Sequence, residues 1–311
     1  MIRVGLVDIE TSHRERFTEV LHAGDQARVV AVCPGEVCPE AEAQDFVTRF
    51  GIGHVVCNPA DMAGEVDVAF ILGTDWDRHL ERAMPFIKRG MPVFIDKPIA
   101  GNLRDCLELE RLARDEGARI IGGSSMRYAE PLAALRKELD DQQAQVNFAV
   151  IHGENGFFDY GIHAVEMAGG LLGGGARSVA WLGGDRPAVH HVSYRNGAQA
   201  IIDLAGPSGA GFRVDAATTT GWRQVAITGV TPYRTLMEEV IRYMHGQPHR
   251  LAPIEALTES IRIMLAAKVS RERGGAVVRL SELAPDAAGF DGTAFARQYA
   301  AQKRAVLSKS S

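Results

Sequence analysis

Pro92-Val93-Phe94-Ile95-Asp96-Lys97-Pro98-Ile99-Ala100-Gly101 is a short apolar run cut off by Asp-Lys-Pro. Val93–Ile95 reads as a buried strand, and Pro98 ends it and fixes the turn after Lys97 because proline cannot continue a ladder. Upstream, Val66–Leu72 is a second apolar strand, and Asp77–Arg89, stopped by Gly90, reads as the helix between the two. Downstream, Leu103–Glu116 reads as a helix and Ala118–Ile121 as another strand. Strands alternating with helices require crossover connections and therefore a parallel, doubly wound sheet. Such sheets bind ligands at the carboxyl ends of their strands, where Lys97 stands. Taken alone, the same turn favours the plainer reading, a surface feature with a solvated lysine.

The alternation extends to the start of the chain. Arg3–Asp8 and Ala27–Cys33 read as strands, and His54–Cys57 as a short one. Ser12–Ala23 carries Phe17, Val20 and Leu21 at helical spacing, and Ala41–Phe50 is a second helix. Residues 1–122 are therefore expected to form a Rossmann-type domain. After Gly122-Gly123 the pattern changes. A helix at Glu130–Asp140, a strand at Val146–His152 and a helix at Tyr160–Leu172 lead to Gly173-Gly174-Gly175. Ser178–Leu182, Val189–Tyr194, Ala198–Leu204, Gly211–Ala217 and Trp222–Thr228 then follow, joined by Gly-, Asn- or Pro-containing turns, and read as an antiparallel meander. Helices at Pro232–His245 and Pro253–Arg273, a strand at Ala276–Leu280 and a helix at Gly292–Leu307 complete the chain. Residues 123–311 are expected to be an α+β domain with a mostly antiparallel sheet. The fold class is α/β followed by α+β.

The 311 residues suffice for two cores, and 46% hydrophobic with 23% charged residues is ordinary for a globular protein. A net charge of −5 points to neither nucleic acid nor a membrane surface as a partner. The opening Met1–Asp8 reads as a strand rather than a signal peptide, so a cytoplasmic location is expected. Four cysteines, Cys33, Cys38, Cys57 and Cys106, are too few for a disulfide framework, and no second pair or histidine cluster completes a metal site.

Phe157-Phe158-Asp159-Tyr160-Gly161-Ile162-His163-Ala164-Val165-Glu166 carries a carboxylate and an imidazole four residues apart. On a helix the two face one way. Asp159 is also a good helix N-cap, and His163 a plausible structural histidine, so the pair alone favours the structural reading. A lysine at a strand end and a carboxylate–His pair in the next domain would converge across an interdomain cleft. There a neutral imidazole takes a proton from a hydroxyl, and a lysine offsets developing alkoxide charge.

The chain resembles the glucose–fructose oxidoreductase / inositol dehydrogenase (Gfo/Idh/MocA) family. Asp96-Lys97-Pro98 is similar to its Glu-Lys-Pro motif, and Asp159-x-Gly161-x-His163 to its Asp-x-Gly-x-His motif. Val66–Leu72 with Thr74 and His79, Met126-Arg127-Tyr128, and the late segments Tyr233–Gly246 and Pro253–Gly274 fall in the family's order. The resemblance implies an NAD(P)-dependent oxidoreductase of sugars, cyclitols or related polyhydroxy compounds, and a homo-oligomer built on the second-domain sheet. It makes Lys97, Asp159 and His163 the catalytic group, with Tyr160, Glu154 and Arg127 as substrate contacts. It places NAD or NADP against Ile9, Thr11, Ser12, His13, Cys33, Leu72, Gly73, Thr74, His79, Asp96, Lys97 and Arg127. Two departures stand out. Of the dinucleotide glycines only Gly5 survives, inside the strand, while Asp8 and Glu10 bring negative charge to the turn. Pro34-Gly35 occupies the place of the ribose-binding acid, and no arginine there argues for NADP. Cofactor choice stays open. So do two alternatives: a non-redox lyase or epimerase using the same residues, and a non-catalytic binding relative.

Overall fold

The computed structural model describes residues 1–154, 156–183, 189–228 and 231–310. β1 (Ile2–Val7), α1 (His13–Ala23), β2 (Ala27–Cys33), α2 (Glu40–Phe50), β3 (His54–Val55), β4 (Val68–Ile71), α3 (His79–Ile87), β5 (Val93–Asp96), α4 (Leu103–Glu116) and β6 (Ile120–Gly123) alternate along the first part of the chain. The strands pair in parallel in the order β3-β2-β1-β4-β5-β6. β4 and β5 are buried at every position, as parallel strands covered on both faces must be. Local signals set the helix ends. The Asn102 side chain accepts the Asp105 N–H at 2.8 Å to start α4, and left-handed Gly117 stops it. The expected strand at His54–Cys57 shrinks to two residues because only Ala31 and Val32 of β2 pair with it. Strand order reverses between β1 and β4, opening a crevice at the carboxyl edge.

The second part comprises α5 (Glu130–Asp141), β7 (Val146–Glu154), α6 (Gly161–Leu172), β8 (Ala176–Trp181), β9 (Val189–Tyr194), β10 (Gln199–Gly206), β11 (Phe212–Thr218), β12 (Gly221–Ile227), α7 (Thr231–Met244), α8 (Ile254–Glu272), β13 (Val278–Arg279) and α9 (Gly292–Ser310). Its sheet runs β12-β11-β7-β10-β9-β8-β13. The expected single meander is thus broken. β7 lies between β10 and β11, parallel to the first and antiparallel to the second. That position covers Ala149 and Ile151 completely, with α6 packed against the strand, which an edge place would leave half open.

The two parts share their cores. Phe17, Phe70 and Phe94 pack with ring centroids 4.6–6.2 Å apart on one face of the parallel sheet, and Leu236, Met237 and Val240 of α7 join the same cluster. Each such side chain contributes about 1.5–3 kcal/mol by leaving water. On the other face α8 packs against α4. The cleft between the parts is therefore set by packed helices rather than by a linker. Among the described residues no helix is long and apolar enough to cross a membrane.

Candidate active site

A cavity of about 570 Å³ opens at the carboxyl edge of the parallel sheet, facing the turn before α6. Thr11, Ser12 and His13 reach it from the β1–α1 turn, and Leu72, Gly73 and Thr74 from the end of β4. Asp96 and Lys97 enter from β5, and Asp159 and Tyr160 from across the cleft. The structure therefore gathers most of the residues that the sequence singled out.

Lys97 lies deep in the protein yet faces the cavity. Its Nζ donates to the Asp159 main-chain carbonyl at 2.9 Å and sits 5.7 Å over the Tyr160 ring. Burial pushes the ammonium pKa down, and the Asp96 and Asp159 carboxylates push it back up. Burial, then Lys97 and His13, hold the His163 imidazole well below its ordinary value, so it is neutral near pH 7. The ring's Nδ1 is hydrogen-bonded to Ser124 Oγ at 2.7 Å, which fixes the ring's orientation. Asp159 does not cap the helix, as its sequence position had suggested. α6 starts at Gly161 after Tyr160, and Asp159 acts on Lys97 through its carbonyl while Ser124 orients the histidine. Asp96 instead engages His13, with Oδ2 2.5 Å from Nδ1.

Six of the expected site residues lie outside the cavity lining, among them His163, which is buried behind it. Ile9 is fully buried. Cys33 is buried, with Sγ near the Cys57 carbonyl and its thiol pushed up to about 11 by burial. His79 braces the Gly73 carbonyl at 2.9 Å from behind the wall. Glu154 accepts the Gly209 and Gly211 N–H groups and holds the turn before β11. Arg127 is locked in a buried pair with Glu166, Nε to Oε2 2.8 Å, and reaches Ser260 Oγ and the Ala256 carbonyl. The guanidinium is thus committed to Glu166 and lines a different pocket, beside Gly169, Gly170 and Ala256.

Sequence reading missed Ser124 and the far wall. Phe295, Gln298, Tyr299 and Gln302 of α9 close the cavity. Their i, i+3, i+4, i+7 spacing was a visible helical stripe, but nothing local said what it would cover. Behind that wall the groove is filled. Glu10 folds across it to accept the Thr74 N–H at 2.8 Å and the Thr74 hydroxyl at 2.5 Å. Asp8 adopts φ 60°, a conformation that aspartate tolerates better than most residues. Its carboxylate wedges between Gly35 and Gly73, where added Cβ atoms would meet it at 2.6 and 3.3 Å, and pairs with Arg82 at 3.1 Å. As folded, the phosphate and adenosine end of this edge does not fit a dinucleotide.

Residues 2–124 match the oxidoreductase family with an NAD-binding Rossmann fold, GFO_IDH_MocA. The chain is 30% identical over 143 residues to inositol 2-dehydrogenase of Burkholderia cenocepacia and 31% identical over 150 residues to that of Klebsiella pneumoniae. These matches cover 45% and 44% of this chain but only 41% and 40% of the relatives' own lengths. In fold, the chain is similar to scyllo-inositol dehydrogenase from Lactobacillus casei with bound NAD(H) and scyllo-inositol, with a TM-score of 0.76 at 16% identity over 91% of this chain and 100% of that one. Myo-inositol 2-dehydrogenase from Lactobacillus plantarum gives 0.74 at 16% over 89% and 99%. The family match lies in the N-terminal domain, residues 2–124, and the chain spans about two fifths of the length of the curated relatives it matches.

Proposed function

We propose that the chain is an oxidoreductase that exchanges a hydride between NAD(P) and a hydroxyl-bearing carbon of a small polyhydroxy compound, a sugar or cyclitol. The observation that carries this reading is the Lys97 ammonium, held by the Asp159 carbonyl in the wall of the cavity with neutral His163 in electrostatic range. A bound nicotinamide would supply or accept the hydride in this chemistry, and the chain's own residues provide the proton path. His163 takes the hydroxyl proton at Nε2 while Ser124 holds its Nδ1, and Lys97 stabilises the oxygen as charge develops. The open face of the second sheet, bearing Phe148, Val150, Ile201 and the exposed Trp222, supports association between copies of the chain.

The filled groove favours one second reading, in which the same residues move protons alone in an elimination or epimerisation. Two measurements separate the readings. Nicotinamide absorbance is followed over a panel of sugars and cyclitols with NAD and NADP, and NADH and NADPH binding is titrated by fluorescence. Nucleotide-dependent turnover that disappears in Lys97→Met supports the redox reading. If neither the full chain nor a chain lacking α9 binds either nucleotide at millimolar concentration, the redox reading is wrong. Turnover without added nucleotide would establish the second.

A further inference from the structure

We infer that α9 is a built-in competitor for the dinucleotide, and that cofactor binding requires its release. The inference rests on the redox reading above. α9 begins at the β4–α3 loop, where the Gly292 N–H donates to Asp77 Oδ2 at 2.7 Å and the Thr293 hydroxyl to Asp75 Oδ2 at 2.9 Å. Eleven residues after Gly292 the helix reaches the other side of the crevice. There Lys303 Nζ donates to the Glu10 carbonyl at 2.9 Å and to Glu42 Oε1 of α2 at 2.6 Å. The helix thus runs from the end of β4 past the β1 turn to α2, the line along which a dinucleotide crosses the switch point of such a sheet. Lys303 sets a cation at the turn where a pyrophosphate would lie.

The two ends are held unequally. Near its start, Trp76 packs on Phe295 with centroids 4.8 Å apart and donates to the Phe290 carbonyl at 2.8 Å, while Phe290 stacks on Phe158 at 3.8 Å. Farther along, Ala296 and Ala300 are buried, and at Lys303, among the described side chains, the hold is the ion pair with Glu42, both side chains 22% exposed, which contributes little to stability. Glu42 keeps its second partner, Arg14, when Lys303 leaves. With aromatic rings fixing its start and a solvent-accessible ion pair at Lys303, the helix is released from the lysine side first. Glu10 and Asp8 close the floor beneath it, and α9 is the cover.

The test compares three full preparations: the intact chain, a chain ending at Asp291, and Lys303→Glu in the intact chain. NADH and NADPH affinities are read by nicotinamide fluorescence, with circular dichroism to check folding. If α9 competes, nucleotide affinity is lowered by the fraction of open molecules, so removing it should tighten binding by about tenfold or more. Lys303→Glu sets a carboxylate against Glu42 and should shift affinity in the same direction, and it carries the test if the shortened chain misfolds. Equal affinities in the three preparations overturn the inference and leave the redox reading standing. Weaker binding by Lys303→Glu also overturns it, because α9 would then be part of the phosphate cradle. No binding by any of the three removes the redox reading, and the competitor role with it.

Discussion

Truncating Arg127 to alanine would strand the Glu166 carboxylate, only 2% exposed, without the guanidinium that now faces it. Arg127 offers Nε to Oε2 at 2.8 Å and Nη2 to Oε1 at 3.2 Å, and Nη2 also reaches Ser260 Oγ at 3.2 Å and the Ala256 carbonyl at 3.3 Å. Both side chains are nearly sealed from water, at 8% and 3% exposure, so solvent cannot replace what is lost. Removing one partner of such a pair costs about 3–5 kcal/mol. At roughly 2–4 °C per kcal/mol for chains of this size class, the melting temperature should fall by roughly 6–20 °C. Replacing both partners, Arg127→Met with Glu166→Leu, should recover most of that loss, since a buried ion pair and an apolar pair of similar volume are often close in stability. The assay is thermal melting by circular dichroism at neutral pH, with substrate KM on the protein that remains folded. A single variant that melts within about 2 °C of the parent and shows a raised KM would refute this reasoning and return Arg127 to the substrate.

Lys97→Met should lower kcat by about two to three orders of magnitude, the usual effect of losing one donor to a developing oxyanion, with the fold intact. The pH profile of the parent follows from the same pair. Turnover should fall as pH rises through the Lys97 value, which burial holds below 10.5, and on the acid side only well below 6.5, where His163 takes a proton. An acid limb centred at or above 6.5 would contradict the buried neutral histidine. Ser124→Ala should lower kcat more than it raises KM, because it frees the His163 ring while leaving the cavity lining in place; a pure KM effect would show that Ser124 does not orient the ring. Asp8 gives a stability test. Burial, opposed by Arg82, lifts its carboxyl to about 6 from 3.8, so the folded state holds the proton more tightly than the unfolded one. Its contribution is present at low pH and is lost as pH rises through about 4 to 6, by about 3 kcal/mol in all. Asp8→Asn should remove that slope, and parallel pH–stability curves for parent and variant would show that the carboxyl is not buried as described.

Local sequence determined the elements and the place of the lysine. Buried runs such as Val93–Ile95, the helix over Leu103–Glu116 and the Asp-Lys-Pro stop are effects of residues a few positions apart, and each appears where the pattern put it. Most of the cavity lining was also legible, because in a doubly wound sheet the strand ends after β1, β4 and β5 must share one edge. What tertiary structure decided is partnership. A strand's period tells which face is buried but not which strand lies beside it, so β7 slipped between β10 and β11 unannounced. A histidine's chemistry tells that it needs a partner but not that Ser124, 39 residues away, provides it. Arg127 is as suited by composition to a substrate as to Glu166, and only the tertiary structure places it beside that carboxylate. The amphipathic stripe of α9 announced a covered surface; packing alone chose the dinucleotide edge, because Trp76, Phe158 and Phe290 left an apolar seat there that Phe295 could fill.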